Sequence, residues 1–309
     1  PSAKTFYVAS PAYSMEILVI AGDPSGDLHA SHLIRALKKQ GPSSLRVAAV
    51  GGPFMRAEAD DFLEDLASRG LTGFWEPLVK LPFMIKLALR LKRYISARRP
   101  AAIVCVDYYG FNRRVLAIAK HFGVPALYFI SPQVWASRPG RIFALKRLVR
   151  RMLVIFPFEA RLYKEAGVPC EFVGHPLIDI LPHPLIKQTA TTPLKVGLLP
   201  GSRRSEVTRH LPLLLEACCR LRRHFPDMQV LIFAAAALPD SVYATGGREN
   251  VELIRESSYA VRRQLDLALC SSGTATLENA LLGVPMVVVY KMSWLTYRIA
   301  KAKRLRNAI

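Results

Sequence analysis

Several things are scarce in this chain, and each scarcity closes off a class of protein. Five cysteines stand in 309 residues, at 105, 170, 218, 219 and 270, an odd number with no C-x-x-C spacing. That pattern argues against a disulfide-stapled scaffold and a cysteine-held zinc site, and it fits a reducing compartment. None of the seven histidines forms an H-x-x-x-H pair, so no metal site and no metal cofactor are expected. No run of 18 or more apolar residues exists to span a bilayer. The stretch before Ile17 is broken by Pro11 and Glu16 and has no basic region leading into an unbroken apolar one. A signal peptide is therefore not expected, and the expected location is the cytoplasm. No period of 20–50 residues recurs, which disfavours solenoids and propellers. Acidic residues are the most telling shortage: 23 Asp and Glu face 43 Lys and Arg, a formal net charge of +20. That excess calls for an anionic partner, for which nucleic acid, phosphorylated substrates and an anionic membrane surface all qualify.

What is present is apolar and periodic. Apolar residues make up 51% of the chain, enough to bury real cores. Short β-branched runs at 16–21, 46–50, 101–106, 125–130 and 151–155 alternate with amphipathic patterns near 28–40, 82–97, 113–122, 141–150 and 158–166. Uninterrupted apolar strands separated by helices predict a parallel sheet covered on both faces. The Pro-rich stretch LPHPLIKQTATTP, residues 181–193, reads as a linker. The alternation then restarts, with strands at 194–199, 229–235, 251–254, 265–270 and 285–290 and helices near 206–223, 274–282 and 294–304. The reading is α/β: two successive doubly wound Rossmann-like domains, residues 1–180 and 194–309, with ligands at the carboxyl ends of the strands. The second domain is expected to be incomplete.

Three strand-to-helix loops have the composition of anion sites. GDPSGD (22–27) follows the first strand with two glycines and a serine ahead of a helix, where an anion or a hydroxyl-rich ligand is favoured; the competing reading is a plain turn with Asp27 as the helix cap. It is not G-x-G-x-x-G, so no dinucleotide fingerprint is present. LLPGSRRSE places Gly201, Ser202 and Arg203 between a strand and a helix, where backbone N–H groups, a hydroxyl and a forked guanidinium suit a diphosphate. CSSGTATLENALLG places Ser272, Gly273, Thr274 and Ala275 at another helix start, with Glu278 on the face of Thr274 and available to vicinal ribose hydroxyls. Each of the latter two loops alone reads equally as helix capping, by Glu206 or Glu278; two in one half point to a nucleotide.

Other residues read more plainly. Asp107 ends the strand AAIVCV and either faces the crevice or caps the following turn. His175 reads as a hydrogen-bonded structural histidine, and Cys218 and Cys219 as buried packing. Residues 75–100, WEPLVKLPFMIKLALRLKRYISARRP, mix apolar bulk with seven cations. Either this is a core-facing helix with a solvated basic face, or Leu78, Phe83, Met84 and Leu87 enter an anionic lipid surface.

The ordered motifs GDPSGD, VGGPFMRAE, VDYYGFN, YFISPQVWASRPGR, FEARLYKEAGVPCEFVGHPLID, LLPGSRRSEV and SSGTATLENALLGVPMVVVYKMSWLTYRIAK closely resemble those of bacterial lipid A disaccharide synthases, from about residue 17 to 301. The resemblance implies an inverting glycosyltransferase of GT-B fold, its two domains facing across a cleft, with no cofactor. It implies UDP-2,3-diacylglucosamine as donor and 2,3-diacylglucosamine 1-phosphate as acceptor, joined into a β-1,6 disaccharide 1-phosphate with release of UDP. It makes Asp107 the catalytic base and assigns the acceptor to Gly22, Asp23, Ser25, Gly26 and Asp27. Because the implied substrates carry acyl chains, it favours peripheral attachment to the anionic inner-membrane surface. Two positions depart from the family pattern: Asp23 stands where Glu is usual, and Gly110 where a second acidic residue is usual. The resemblance also implies a closing segment after the Y-x-x-A-K helix, expected to be missing after Lys301. The rival readings are a nucleic-acid binder, disfavoured because no helix-turn-helix, RNP or KH signature occurs, and another UDP-sugar enzyme of the same fold, a peptidoglycan glycosyltransferase or a 2-epimerase.

Overall fold

The computed structural model describes residues 15–68, 81–137, 139–185, 192–236, 238–244, 250–255 and 259–292. The expected helix near 294–304 lies outside them, as do Leu78, Trp75 and Lys80. Contacts divide the chain into two units, one ending at Gly174 and one beginning at His175. The expected linker starts later, at 181. Its first residues ride on the second unit: Leu181 packs against that unit's core, and Pro184 lies against Gly283.

In the first unit the strands are β1 (Glu16–Ala21), β2 (Arg46–Gly51), β3 (Asp61–Asp65), β4 (Ala102–Val106), β5 (Ala126–Phe129), β6 (Arg151–Val154) and β7 (Cys170–Phe172). All pair in parallel, in the order β3-β2-β1-β4-β5-β6-β7. The helices are α1 (Pro24–Gln40), α2 (Pro53–Glu58), α3 (Leu81–Arg98), α4 (Tyr109–His121), α5 (Val134–Ser137), α6 (Arg141–Leu148) and α7 (Pro157–Glu165). Alternate residues of one strand serve opposite faces. Leu18, Ile20, Ile103, Cys105 and Tyr128 join the core under α3, α4, α6 and α7, whereas Val19, Ala21, Val104, Val106 and Phe129 join the one under α1 and α2. The sheet is therefore apolar on both sides, as continuous rather than alternating apolar runs require. Strands β3 and β7, at the two edges, are short and half-buried or exposed, so neither shows the apolar run that marks the central strands.

Helix α3 corrects the expected membrane residues. Met84, Leu87, Leu91 and Ile95, at i, i+3, i+7 and i+11, form its buried stripe, with Met84 only 7% and Leu87 2% exposed. Phe83 is half-buried against the same core. The exposed apolar residues of this helix are instead Leu81, Ile85 and Leu89, one helical face away, beside exposed Lys86, Arg90, Lys92 and Arg93. Hydrophobic bulk alone did not reveal which apolar row turns inward; the helical phase does.

The second unit begins with a short helix, α8 (Leu177–Ile180). Its strands are β8 (Lys195–Leu199), β9 (Gln229–Phe233), β10 (Val251–Ile254), β11 (Leu267–Ser271) and β12 (Met286–Val289), with helices α9 (Arg204–Leu221) and α10 (Thr274–Leu281). The sheet is again parallel throughout, in the order β10-β9-β8-β11-β12. Each sheet reverses its winding at one point, between β1 and β4 in the first and between β8 and β11 in the second. Open α/β sheets bind ligands outside the carboxyl ends of the strands at such a switch point.

Candidate active site

Both switch points carry residues singled out above. In the first unit β1 runs into Gly22 and Asp23, and β4 runs into Asp107 and Tyr108. The sequence GDPSGD is not a free loop, because Pro24 starts α1 and Asp23 is its cap, accepting from Gly26 N at 2.6 Å. Proline at the first helical position has no N–H to leave unpaired. The cap is therefore Asp23 and not Asp27. Asp27 is 1% exposed, and its two oxygens accept from Gly52 N (2.7 Å), Met55 N (3.0 Å) and Phe54 N (3.0 Å) at the start of α2. With both oxygens held by backbone, Asp27 is withdrawn from the acceptor-binding residues. Gly22 makes room for a neighbour: a Cβ there would stand 2.0 Å from Cδ1 of the Tyr108 ring.

Asp107 leaves β4 in the left-handed region, φ +42°, followed by Tyr108, also at +42°. Ile130, at the end of β5, has φ +60°. Such conformations cost non-glycine residues about 1–3 kcal/mol each, and strain of this kind concentrates at functional sites. Burial pushes the Asp107 carboxyl up to about 7, and the negative charges of Asp23 and Glu159 push the same way. Burial and Asp23 raise the Tyr108 phenol to about 12. A carboxylate poised near neutrality has the basicity that proton abstraction at physiological pH calls for. Gly110 lies in the first turn of α4, and a Cβ there would meet no atom of the described residues within 4 Å.

Two residues near Asp107 escaped the sequence reading. Glu159 is 2% exposed; it accepts from Ser131 Oγ at 2.6 Å and from Phe156 N at 3.3 Å, and burial raises its carboxyl. Pro157 followed by Glu159 is a helix-start signal, which marks the local fold but not that the carboxylate's charge reaches Asp107. Asn112 is fully buried and bonds the backbone of Asp107.

In the second unit, Gly201 (φ +125°) leads from β8 to α9, and exposed Ser202 and Arg203 follow. Here the capping alternative is realised. Glu206 accepts from Ser202 N (3.2 Å) and Arg203 N (3.3 Å), and it pairs with the Arg203 guanidinium at 2.6 Å. At the end of β11, exposed Ser272, Gly273 (φ +156°) and Thr274 open α10 with Ala275; Thr276, not Thr274, returns a hydroxyl to Gly273 O at 2.7 Å. Glu278 accepts from Tyr259 Oη at 2.9 Å and lies in close contact with Arg262. The Glu278 carboxylate is therefore already engaged by two donors.

The lesser candidates also have their places. His175 accepts at Nδ1 from Leu177 N, 3.1 Å, and burial lowers its basicity, so it is a capping histidine of α8. Cys218 is buried as expected, but Cys219, one residue around the helix, is exposed.

Comparison with known proteins adds to this geometry. The sequence profile of the lipid-A-disaccharide synthetase family matches residues 17–307. The chain is 40% identical over 301 residues to lipid-A-disaccharide synthase of Geobacter metallireducens, covering 94% of this chain and 78% of that protein. It is 39% identical to the Nitrosococcus oceani protein of the same name, covering 91% and 75%. Among solved structures, UDP-GlcNAc 2-epimerase from Neisseria meningitidis bound to UDP-GlcNAc aligns with a TM-score of 0.64 at 14% identity, over 93% of this chain and 85% of that one. The S. aureus MnaA–UDP co-structure aligns at 0.66 and 14%, over 90% and 80%. At such identities these neighbours show a shared GT-B-like fold and nothing finer.

Proposed function

The chain belongs to the lipid-A-disaccharide synthetase family, and from that premise we propose how its residues divide the reaction. The enzyme is a glycosyltransferase of lipid A biosynthesis. It joins UDP-2,3-diacylglucosamine to 2,3-diacylglucosamine 1-phosphate, giving the β-1,6 disaccharide 1-phosphate and UDP.

The observation that carries the division of roles is the raised carboxyl of Asp107 at a strained switch point. A sugar hydroxyl is a poor nucleophile until its proton begins to leave. Asp107 takes the proton of the acceptor 6-hydroxyl as the C1–O bond to the acceptor forms and the bond to UDP breaks. Gly22, Asp23, Ser25 and Gly26 surround the acceptor. In the second unit Gly201, Ser202 and Arg203, with Ser272, Gly273, Thr274 and Ala275, hold the nucleotide. There the Arg203 guanidinium and the α10 N-terminus balance the charge that develops on the diphosphate. Glu278 receives the ribose.

The acyl chains of both substrates place the reaction at a lipid surface. No helix among the described residues is long and apolar enough to cross a membrane. Peripheral attachment instead uses the exposed row Leu81, Ile85 and Leu89 on α3 with its flanking cations, each worth about 1 kcal/mol near anionic lipid. The test is acceptor-dependent release of UDP from the two acylated sugars. Release without acceptor, or conversion of a UDP-sugar to its 2-epimer, points to the rival chemistry of the same fold.

A further inference from the structure

Asp107 and Tyr108 form two consecutive left-handed residues, and the backbone around them is gripped from two elements. Asp107 N donates to Phe129 O of β5 at 3.1 Å. From the same strand Tyr128, 0% exposed, donates its hydroxyl to Asp107 O. From α4 Asn112, also 0% exposed, donates through Nδ2 to Val106 O at 3.1 Å and Asp107 O at 2.7 Å. Both acceptors are carbonyls, so only the donor end of the amide can face them, and its orientation is fixed. The other end, Oδ1, is buried without a hydrogen-bond partner. A buried amide left half-satisfied destabilises a core relative to an apolar side chain of the same shape. Packing alone therefore does not account for an asparagine at this position, whereas its grip on the Asp107 peptide does.

We infer that Asn112 and Tyr128 are positioning residues for the reaction: they lock the left-handed turn so that the Asp107 carboxylate is held in place for the acceptor hydroxyl. Neither touches substrate. This role rests on the assignment of Asp107 as the base. With the turn released, the carboxylate relaxes toward solvent, losing both its aim and the burial that sets its basicity.

The cleanest probe is Tyr128→Phe, which keeps the ring and removes one bond; Asn112→Leu removes two bonds at similar volume and serves where a second variant is needed. Each is made alone and in an Asp107→Asn background, and each is checked by thermal melt. Turnover is measured by UDP release, and the Asp107 carboxyl is titrated by carbon NMR. Tyr128→Phe is expected to lower kcat about tenfold with KM for the UDP-sugar unchanged and to move the titration midpoint below about 7. In the Asp107→Asn background it is expected to cause no further loss, since residues acting through one group are non-additive. Full kcat with an unmoved midpoint overturns the inference while leaving Asp107 as base, and so does an equal loss in both backgrounds. Full turnover in Asp107→Asn alone overturns the base assignment and this inference together.

Discussion

Glu206 stands where a side chain on Gly201 would have to go. A Cβ at Gly201 would lie 2.6 Å from Glu206 Oε2 and 2.7 Å from its Cβ. The carboxylate is thus drawn over the β8–α9 loop, onto the two N–H groups and the guanidinium proposed to bind a diphosphate. In the proposed donor site the UDP diphosphate displaces it. Arg203→Ala is expected to weaken UDP binding by about 1.5–3 kcal/mol, the range for charge-assisted hydrogen bonds. Glu206→Gln keeps an acceptor for the cap but removes the competing charge, so UDP binding is expected to tighten several-fold. Titration calorimetry reads both, and an unchanged affinity in Arg203→Ala removes that residue from the donor site.

The two faces of α3 separate membrane attachment from folding. Replacing Ile85 and Leu89 together with Ser is expected to release the protein from anionic vesicles while leaving its melting temperature unchanged, because both are at least half exposed. Leu87→Ala is expected to lower stability by about 2–5 kcal/mol, as for other large core residues. Vesicle sedimentation beside a thermal melt checks the pair. Retained vesicle binding in the Ile85/Leu89 double variant shifts the attachment surface elsewhere.

The central strands were legible because burial on both faces demands continuous apolar runs, and EILVIA, AIVCV and KVGLL supply them. The acidic DFLED and the three-residue CEF were not, because an edge strand needs no such run. Helix starts were placed late for a related reason. The first turns of α1 and α4 contain Gly, Ser or Tyr in place of apolar repeats, and only Asp23 with Pro24 gives α1 a cap signal. At the site, the loop positions were readable from their glycines and hydroxyls, but the state of their side chains was not. Which carboxylate is free and which is already held by backbone depends on partners distant in sequence: Asp27 is taken by residues 25–28 positions away.

Asp27 consequently separates stability from acceptor binding. Asp27→Ala leaves three backbone donors at the start of α2 without their carboxylate, each worth about 1–3 kcal/mol where buried. A loss of at least about 2–3 kcal/mol in denaturant unfolding is expected, with KM for the acceptor unchanged in the folded fraction. A selective rise in acceptor KM without loss of stability would return Asp27 to the acceptor site.

The pH behaviour of Asp107 ties its chemistry to its cost for the fold. Its carboxyl stands at about 7 in the folded protein against 3.8 for an unperturbed aspartate. Between those values the folded chain holds a proton that the unfolded chain has lost, so this group's contribution to stability declines as pH rises from about 4 to 7. Above that window the ionised, desolvated carboxylate is a burden on the fold and is also the form that can accept a proton. The acidic limb of kcat/KM is therefore expected near pH 7, with activity rising as Asp107 ionises. Asp23→Asn removes the neighbouring negative charge, so that limb is expected to move to lower pH. Asp107→Asn keeps the shape without the basicity: turnover is expected to fall about 10²–10⁴-fold, while UDP affinity, assigned to the other unit, stays the same. The same substitution is expected to raise the melting temperature at pH 8 and to raise it less at pH 5, where the wild-type carboxyl is already protonated. Activity loss accompanied by an equal destabilisation at both pH values would mark Asp107 as a turn residue and not as the base.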